Sequence, residues 1–323
     1  MSQTQHHRAF SITVAWTIGL IFLGSVVHAT ESSLACPDWP TCFGSWLPEM
    51  TGGVFWEHLH RLVAGGLILF FLGATYLTWK EKARYPWILK ASILGIGLLL
   101  VQAVLGGLTV LWGLPTAISS SHLTLALVFL GLATVLAVAS SPRWHLGVAP
   151  RGSSRLPLRR LGVVALSLTL LQSVVGGAVR HTGSGMACPD VPLCLGQWIP
   201  AFQHWMVGLH FGHRVLGLVV LAVVLWLGHV AFWKGGSSPV RALGAAAALT
   251  ATAQVLLGFL SVYYRLAVVP VSLHTLLAAI LITVLTALAV LTWAPEPYRD
   301  LAAGDTPGAG RRDPSEIPLG VPG

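Results

Sequence analysis

Residues 36–48 read C-P-D-W-P-T-C-F-G-S-W-L-P, and residues 188–200 read C-P-D-V-P-L-C-L-G-Q-W-I-P. Two copies of one loop pattern predict a duplicated chain. The agreement continues downstream: W-E-H-L-H-R-L at 56–62 parallels L-H-F-G-H-R-V at 209–215, and Q-A-V-L-G-G-L at 102–108 parallels Q-V-L-L-G-F-L at 254–260. The segments between these motifs are long and apolar. Of the 323 residues, 54% are hydrophobic and only 9% charged, and the mean hydropathy is +0.75. A water-soluble domain of this size cannot hide so much apolar surface, so the class is integral membrane protein.

About eight apolar stretches are centred in 9–30, 55–79, 87–112, 115–140, 159–181, 204–233, 240–264 and 269–293. Each is long enough to cross a hydrocarbon core of about 30 Å as a helix. They are continuous and do not alternate with period two, so they predict helices and exclude barrel strands. The first stretch lacks a small-x-small cleavage site followed by a soluble domain and is expected to be a retained helix. The fold class is therefore all-α integral membrane protein, with eight transmembrane helices as two tandem pseudo-symmetric four-helix bundles. The expected units are 9–140 and 159–293, joined by a basic linker at 141–158. A Pro- and Gly-rich tail, 294–323, is expected to be disordered. With an even number of helices per unit, the repeat is parallel, about an axis along the membrane normal.

The net charge of +8 is not a nucleic-acid footprint, because the basic residues cluster in loops on one side. Arg8 precedes the first stretch, Lys80, Lys82 and Arg84 follow the second, and Arg143, Arg151, Arg155, Arg159 and Arg160 follow the fourth. Lys234 and Arg241 follow the sixth, and Arg299, Arg311 and Arg312 lie in the tail. The opposite loops carry Glu31, Asp38, Glu49 and Asp190, with Arg265 their main cation. The positive-inside rule then places both termini in the cytoplasm, in a cell (inner) membrane protein with its sites toward the outer side.

Four histidines sit within about two turns of the outer ends of the even-numbered helices: His60, His122, His213 and His274. The second pair repeats the first, since 152 positions separate His122 from His274 and one more separates His60 from His213. Helices two apart in a four-helix bundle face each other across its core. His60 with His122, and His213 with His274, are thus predicted to clamp one haem iron each. A single intramembrane histidine is more often a hydrogen-bonded packing residue, but four at matched depth in duplicated positions are not explained that way. Arg61 and Arg214, each next to a histidine, are candidate propionate partners, against an interfacial snorkelling reading. The remaining histidines carry no supported role. His6 and His7 fall in a solvated N-terminus, His145 in the linker and His229 at an inner helix end, while His28, His58, His181 and His204 lie near the outer surface.

The halves differ at one position. Glu57 lies one helical turn outward from His60 on the same face, and its counterpart is His210. A carboxylate beside one site only predicts unequal roles, with proton-coupled chemistry at one and electron transfer at the other. The plainer reading is an ion pair with Arg61 at i, i+4. The cysteines form two C-x5-C pairs, Cys36/Cys42 and Cys188/Cys194, both in outer loops, where close cysteines are expected as disulfides. A structural staple and a thiol redox role stand equally open, with copper or zinc ligation a third option.

At these residues the chain closely resembles haem A synthase, the CtaA family. The resemblance covers nearly all of 9–293 and rests on the outer-loop C-P-D-W motif, E-H-x-H-R at 57–61 and single histidines on the fourth, sixth and eighth helices. It implies an oxidoreductase that oxidises the C8 methyl group of haem O to a formyl group, giving haem A for cytochrome oxidase. It also implies a haem b cofactor on His213 and His274, substrate haem on His60 and His122, and Glu57 as the catalytic carboxylate. Implied partners are haem O and membrane lipid, and the reading leaves room for a haem O synthase (protohaem farnesyltransferase) and an electron-transfer partner. The sequence departs from the pattern at one place: V-R-H-T-G-S-G at 179–185 fits it, whereas V-H-A-T-E-S-S at 27–33 has His28 where an arginine is expected. The alternative function is a di-haem b-type electron-transfer cytochrome, which explains four histidines but not Glu57. A haem carrier and a quinone-coupled disulfide oxidoreductase rank below it.

Overall fold

The computed structural model describes residues 3–82, 86–141, 144 and 155–294. It contains eight long helices: α1 (Gln3–Ala29), α2 (Gly52–Lys80), α3 (Pro86–Leu111), α4 (Thr116–Ala139), α5 (Arg155–His181), α6 (Trp205–Lys234), α7 (Ser238–Tyr263) and α8 (Val268–Leu291). All eight are long and apolar enough to cross a membrane. Side chains such as Leu69 (72% exposed) and Leu249 (74% exposed) face outward, as the lipid-facing surface of a multi-pass membrane protein requires. Most of the 141–158 linker and the tail from 295 lie outside the described residues.

Two helices begin earlier than hydropathy predicts, α1 at Gln3 and α5 at Arg155, because polar residues in their first turns have partners. His6 is not solvated. It is 3% exposed, and its Nε2 lies 3.1 Å from the Glu81 carboxylate at the end of α2. His7 Nδ1 bonds the Ala137 carbonyl at 2.8 Å on α4. Arg155 donates to the carbonyls of Thr292 (3.0 Å) and Ala294 (2.6 Å), which the end of α8 leaves without helical partners.

In the first half α1 packs against α2 and α4, and α3 also packs against α2 and α4. In the second half α5 and α7 each pack against α6 and α8. α2 and α4 therefore stand at opposite corners, as do α6 and α8. The halves meet where α1 and α4 contact α8, and α4 contacts α5, around Ile21, Leu127, Leu130, Ala279 and Ile282.

Lipid offers apolar side chains as good an environment as another helix does, so close fit must hold the bundle together. Phe71 packs edge-on against Phe129 at 5.2 Å, and Gly95 makes room for it: a Cβ there would lie 2.7 Å from the Phe71 ring. Between α6 and α7, a Cβ on Gly244 would lie 2.5 Å from that of Ala231.

Local hydrogen bonds recur 152 positions apart. Leu114 N–H bonds the Thr109 carbonyl at 2.7 Å, closing α3, and Leu266 N–H bonds the Ser261 carbonyl at 2.7 Å, closing α7. The reversals use left-handed backbone at Gly113 and Leu114 in one case and at Arg265 and Leu266 in the other.

Candidate functional site

Each half presents a loop closed by a disulfide, Cys36–Cys42 and Cys188–Cys194. Within each ring an aspartate organises the backbone. Asp38 accepts from the Thr41 hydroxyl (2.5 Å) and the amides of Phe43 (2.6 Å) and Gly44 (2.8 Å), and Asp190 accepts from the amides of Leu195 and Gly196, both at 2.7 Å. These donors hold both carboxyls below the ordinary aspartate range, the Thr41 hydroxyl contributing most at Asp38 and the Gly196 amide most at Asp190. With both cysteine pairs oxidised, no thiolate remains for copper or zinc, so the metal option for the cysteines does not fit. His58 is buried beside the first disulfide and bonds the Trp46 carbonyl at 3.0 Å; the second half has Phe211 at that place.

The loops are tied down by the two arginines that follow the site histidines. Arg61 donates to the carbonyls of Cys36 (3.3 Å), Asp38 (2.7 Å) and Thr41 (2.5 Å), and Arg214 to those of Cys188 (2.5 Å), Asp190 (2.9 Å) and Leu193 (2.8 Å). Most donors of this pair thus serve the loops, and Arg61 also lines the cavity described below.

Glu57 and His210 complete these ties, unequally. The buried Glu57 carboxylate accepts from the Cys36 amide at 2.8 Å and from Arg61 at 2.5 Å. His210 faces the Cys188 amide at 3.2 Å through Nδ1 and Arg214 Nε at 3.3 Å through Nε2. A neutral imidazole has one acceptor nitrogen, so it can satisfy only one of those donors, whereas a carboxylate satisfies both. The i, i+4 ion pair anticipated for Glu57 is present, and Glu57 also lines a cavity.

That cavity, about 750 Å³, opens among α1 to α4 and is lined by His60, His122 and Glu57. Its volume lies in the upper part of the range for small-molecule and cofactor sites. His60 on α2 and His122 on α4 face each other from opposite corners. His213 on α6 and His274 on α8 hold the matching positions in the second half. Each imidazole lies against a glycine of the preceding helix: a Cβ would fall 3.0 Å from His60 Cε1 at Gly24, 3.2 Å from His122 at Gly106, 2.9 Å from His213 at Gly176 and 3.2 Å from His274 at Gly258. The glycines form a cradle that sets ring orientation. Only the pair Gly106 and Gly258 was visible in the sequence, inside the repeated Q-x-x-L-G motif.

The ring nitrogens fit a bound iron. Nδ1 of His60, His122 and His213 is buried without a hydrogen-bond partner among the described residues. His274 Nδ1 donates to the Gln254 carbonyl at 3.0 Å, leaving Nε2 as the lone-pair donor. Buried imidazoles with an unused nitrogen are suited to axial haem ligation.

A family described as cytochrome oxidase assembly protein, COX15-CtaA, matches residues 8–53 and 47–286. The chain belongs to this family. Among its similar proteins, heme A synthase of Lysinibacillus sphaericus is 29% identical over 288 residues, covering 86% of this chain and 93% of the relative. Heme A synthase of Halalkalibacterium halodurans is 29% identical over 229 residues (68% and 75%), and that of Shewanella oneidensis 25% over 322 residues (87% and 95%). The COX15-CtaA match spans all four site histidines, Glu57 and both cysteine pairs.

The departure at position 28 has a structural consequence. His28 stacks on His181 with ring centroids 5.0 Å apart and planes at 30°. Both line the first-half cavity with Arg180, which reaches across from α5. Sequence reasoning found no support for a role of His28 or His181 and did not anticipate the crossing of Arg180.

Proposed function

We propose that the chain is a haem A synthase, an oxidoreductase that converts the C8 methyl group of haem O to a formyl group. The observation that carries this reading is the cavity between His60 and His122 with the Glu57 carboxylate in its wall, set beside a second histidine pair that has His210 instead. Family membership and the heme A synthase names of the similar proteins support it. A di-haem electron-transfer cytochrome is not favoured, because it gives Glu57 no task.

In this reading the halves are two tandem, pseudo-symmetric four-helix bundles. His60 and His122 hold the substrate porphyrin and His213 and His274 hold the cofactor, haem b. Bound there, the haem supplies one-electron transfer between the substrate site and an outside partner. Gly24, Gly106, Gly176 and Gly258 fix the four rings, so that each pair meets its iron without reorganisation. Glu57, held by Arg61 and the Cys36 amide, would take up released protons or stabilise positive charge as the methyl group becomes an alcohol and then a gem-diol. Each step adds a hydroxyl from water and gives up two protons and two electrons, the electrons going to the outside acceptor, and the gem-diol then loses water to leave the aldehyde. The disulfide-closed loop covers the outer end of the cavity through Trp39, Pro40 and Trp46, restricting water. The farnesyl tail of haem O lies along lipid-facing helix surfaces.

The orientation follows from charge. Basic residues at the inner helix ends put both termini in the cytoplasm and both sites toward the outer face of the cell (inner) membrane. The test is to express the chain aerobically with a haem O source and identify the extracted haems by mass. Haem A is expected; haem O alone from folded, haem-loaded protein would overturn the reading.

A further inference from the structure

Arg180 is a cation placed at a junction. It extends from the outer end of α5, where Nη1 donates to Ser25 Oγ at 3.2 Å and Nη2 to the Ser25 carbonyl at 3.0 Å on α1. Ser25 Oγ in turn donates to Thr275 Oγ1 at 3.1 Å, next to His274. The side chain thus belongs to the second half but lines the first-half cavity, together with His28 and His181.

Among the described residues, no ion pair joins Arg180 to a carboxylate. The one acidic residue in the cavity wall, Glu57, is already engaged by Arg61. Guanidinium carries five N–H donors, and the bonds to Ser25 leave several of them free. A cation inside a membrane bundle is costly unless paired, and one beside a ligand cavity is naturally paired by the ligand. Position 28, which lies 152 positions before Arg180, holds the neutral-capable ring of His28, so the junction has a single guanidinium instead of two.

We propose that Arg180, flanked by the stacked His28 and His181 rings, is a carboxylate-binding subsite that the second half contributes to the first-half cavity, and that it takes a propionate of the bound porphyrin. The subsite rests on the reading of that cavity as a porphyrin site. It stands beside Arg61, whose bonds go to loop carbonyls and to Glu57, as a residue that orients the porphyrin edge. A fixed edge determines which ring substituent faces Glu57, so Arg180 acts as a specificity-determining residue.

The test titrates the purified, haem b-loaded protein with ferric protoporphyrin IX and with its dimethyl ester, following the low-spin absorbance change. The free acid is expected to bind about tenfold or more tighter than the ester, the scale of one charge-assisted hydrogen-bonded contact. Arg180→Gln should remove that preference by weakening the acid alone, and Arg180→Lys should restore part of it. Equal wild-type affinities for acid and ester overturn the proposal even if no variant folds, as does an unchanged preference in Arg180→Gln. Titrations unaffected by His60→Ala or His122→Ala would instead overturn the porphyrin reading of the cavity itself, which separates the two failures.

Discussion

Gly24 and His60 touch so closely that a methyl group at position 24 would lie 3.0 Å from the imidazole Cε1, and Gly176 and His213 repeat the contact at 2.9 Å. Replacing either glycine by alanine must displace the ring it supports. Gly176→Ala is expected to lower retention of the resident haem, and Gly24→Ala to weaken binding of added porphyrin, each by about 10- to 100-fold. Haem stoichiometry and porphyrin titration of the purified variants read the two effects separately. Equal damage to both sites by either change would show that the glycines serve general helix packing.

Glu57 does two things that one substitution can separate. It ties the Cys36 loop to Arg61, and it borders the cavity. His210 performs the tie in the second half, so Glu57→His should keep the loop, the fold and porphyrin binding while forming no haem A. Glu57→Ala leaves a buried guanidinium without its partner, a loss of about 3–5 kcal/mol where such a pair is fully buried. Product formation by Glu57→His at the wild-type rate would remove the carboxylate from the chemistry.

Loop order should respond to acid in a defined window. Asp38 and Asp190 have depressed carboxyls, so their contribution is fully present above the ordinary aspartate value of about 3.9 and is lost as the pH falls through the lower folded value. Amide exchange at Gly44 and Gly196 should therefore stay protected from neutral pH down to that value and rise only below it. Loss of protection near neutral pH would contradict the aspartate-centred loops.

Each disulfide closes a ring with a sequence separation of six. A ring so short constrains the unfolded chain by about 2 kcal/mol. Cys188→Ser with Cys194→Ser should lower the thermal midpoint by a corresponding step and leave the helices intact by circular dichroism. No change in the midpoint would mean that Asp190 and Arg214 alone hold the loop.

Much of this was legible in the sequence. Continuous apolar runs located all eight helices, with boundaries in error where polar residues such as His6 found partners that hydropathy does not register. The repeat paired the four histidines, and the proposed ligation explains why one residue type recurs at that depth. It also exposed Glu57 against His210. The direction of a long side chain was not legible. Arg61 and Arg214 adjoin site histidines in the chain, yet rotation along the helix turns them to the loop carbonyls. Arg180 looked like one residue of a helix end, and only the packing of α5 against the first half shows that it lines the other half's cavity. The Gly24 and Gly176 contacts were hidden among 35 glycines, since a glycine gives no sign of which ring rests on it.

The most direct measurement compares low-spin haem spectra of wild type, His60→Ala and His213→Ala after anaerobic loading with haem O. If facing imidazoles hold two haems with different jobs, His60→Ala loses only the signal of the added haem O, and His213→Ala loses only that of the resident haem. Loss of the same signal in both variants, or of neither, would contradict it.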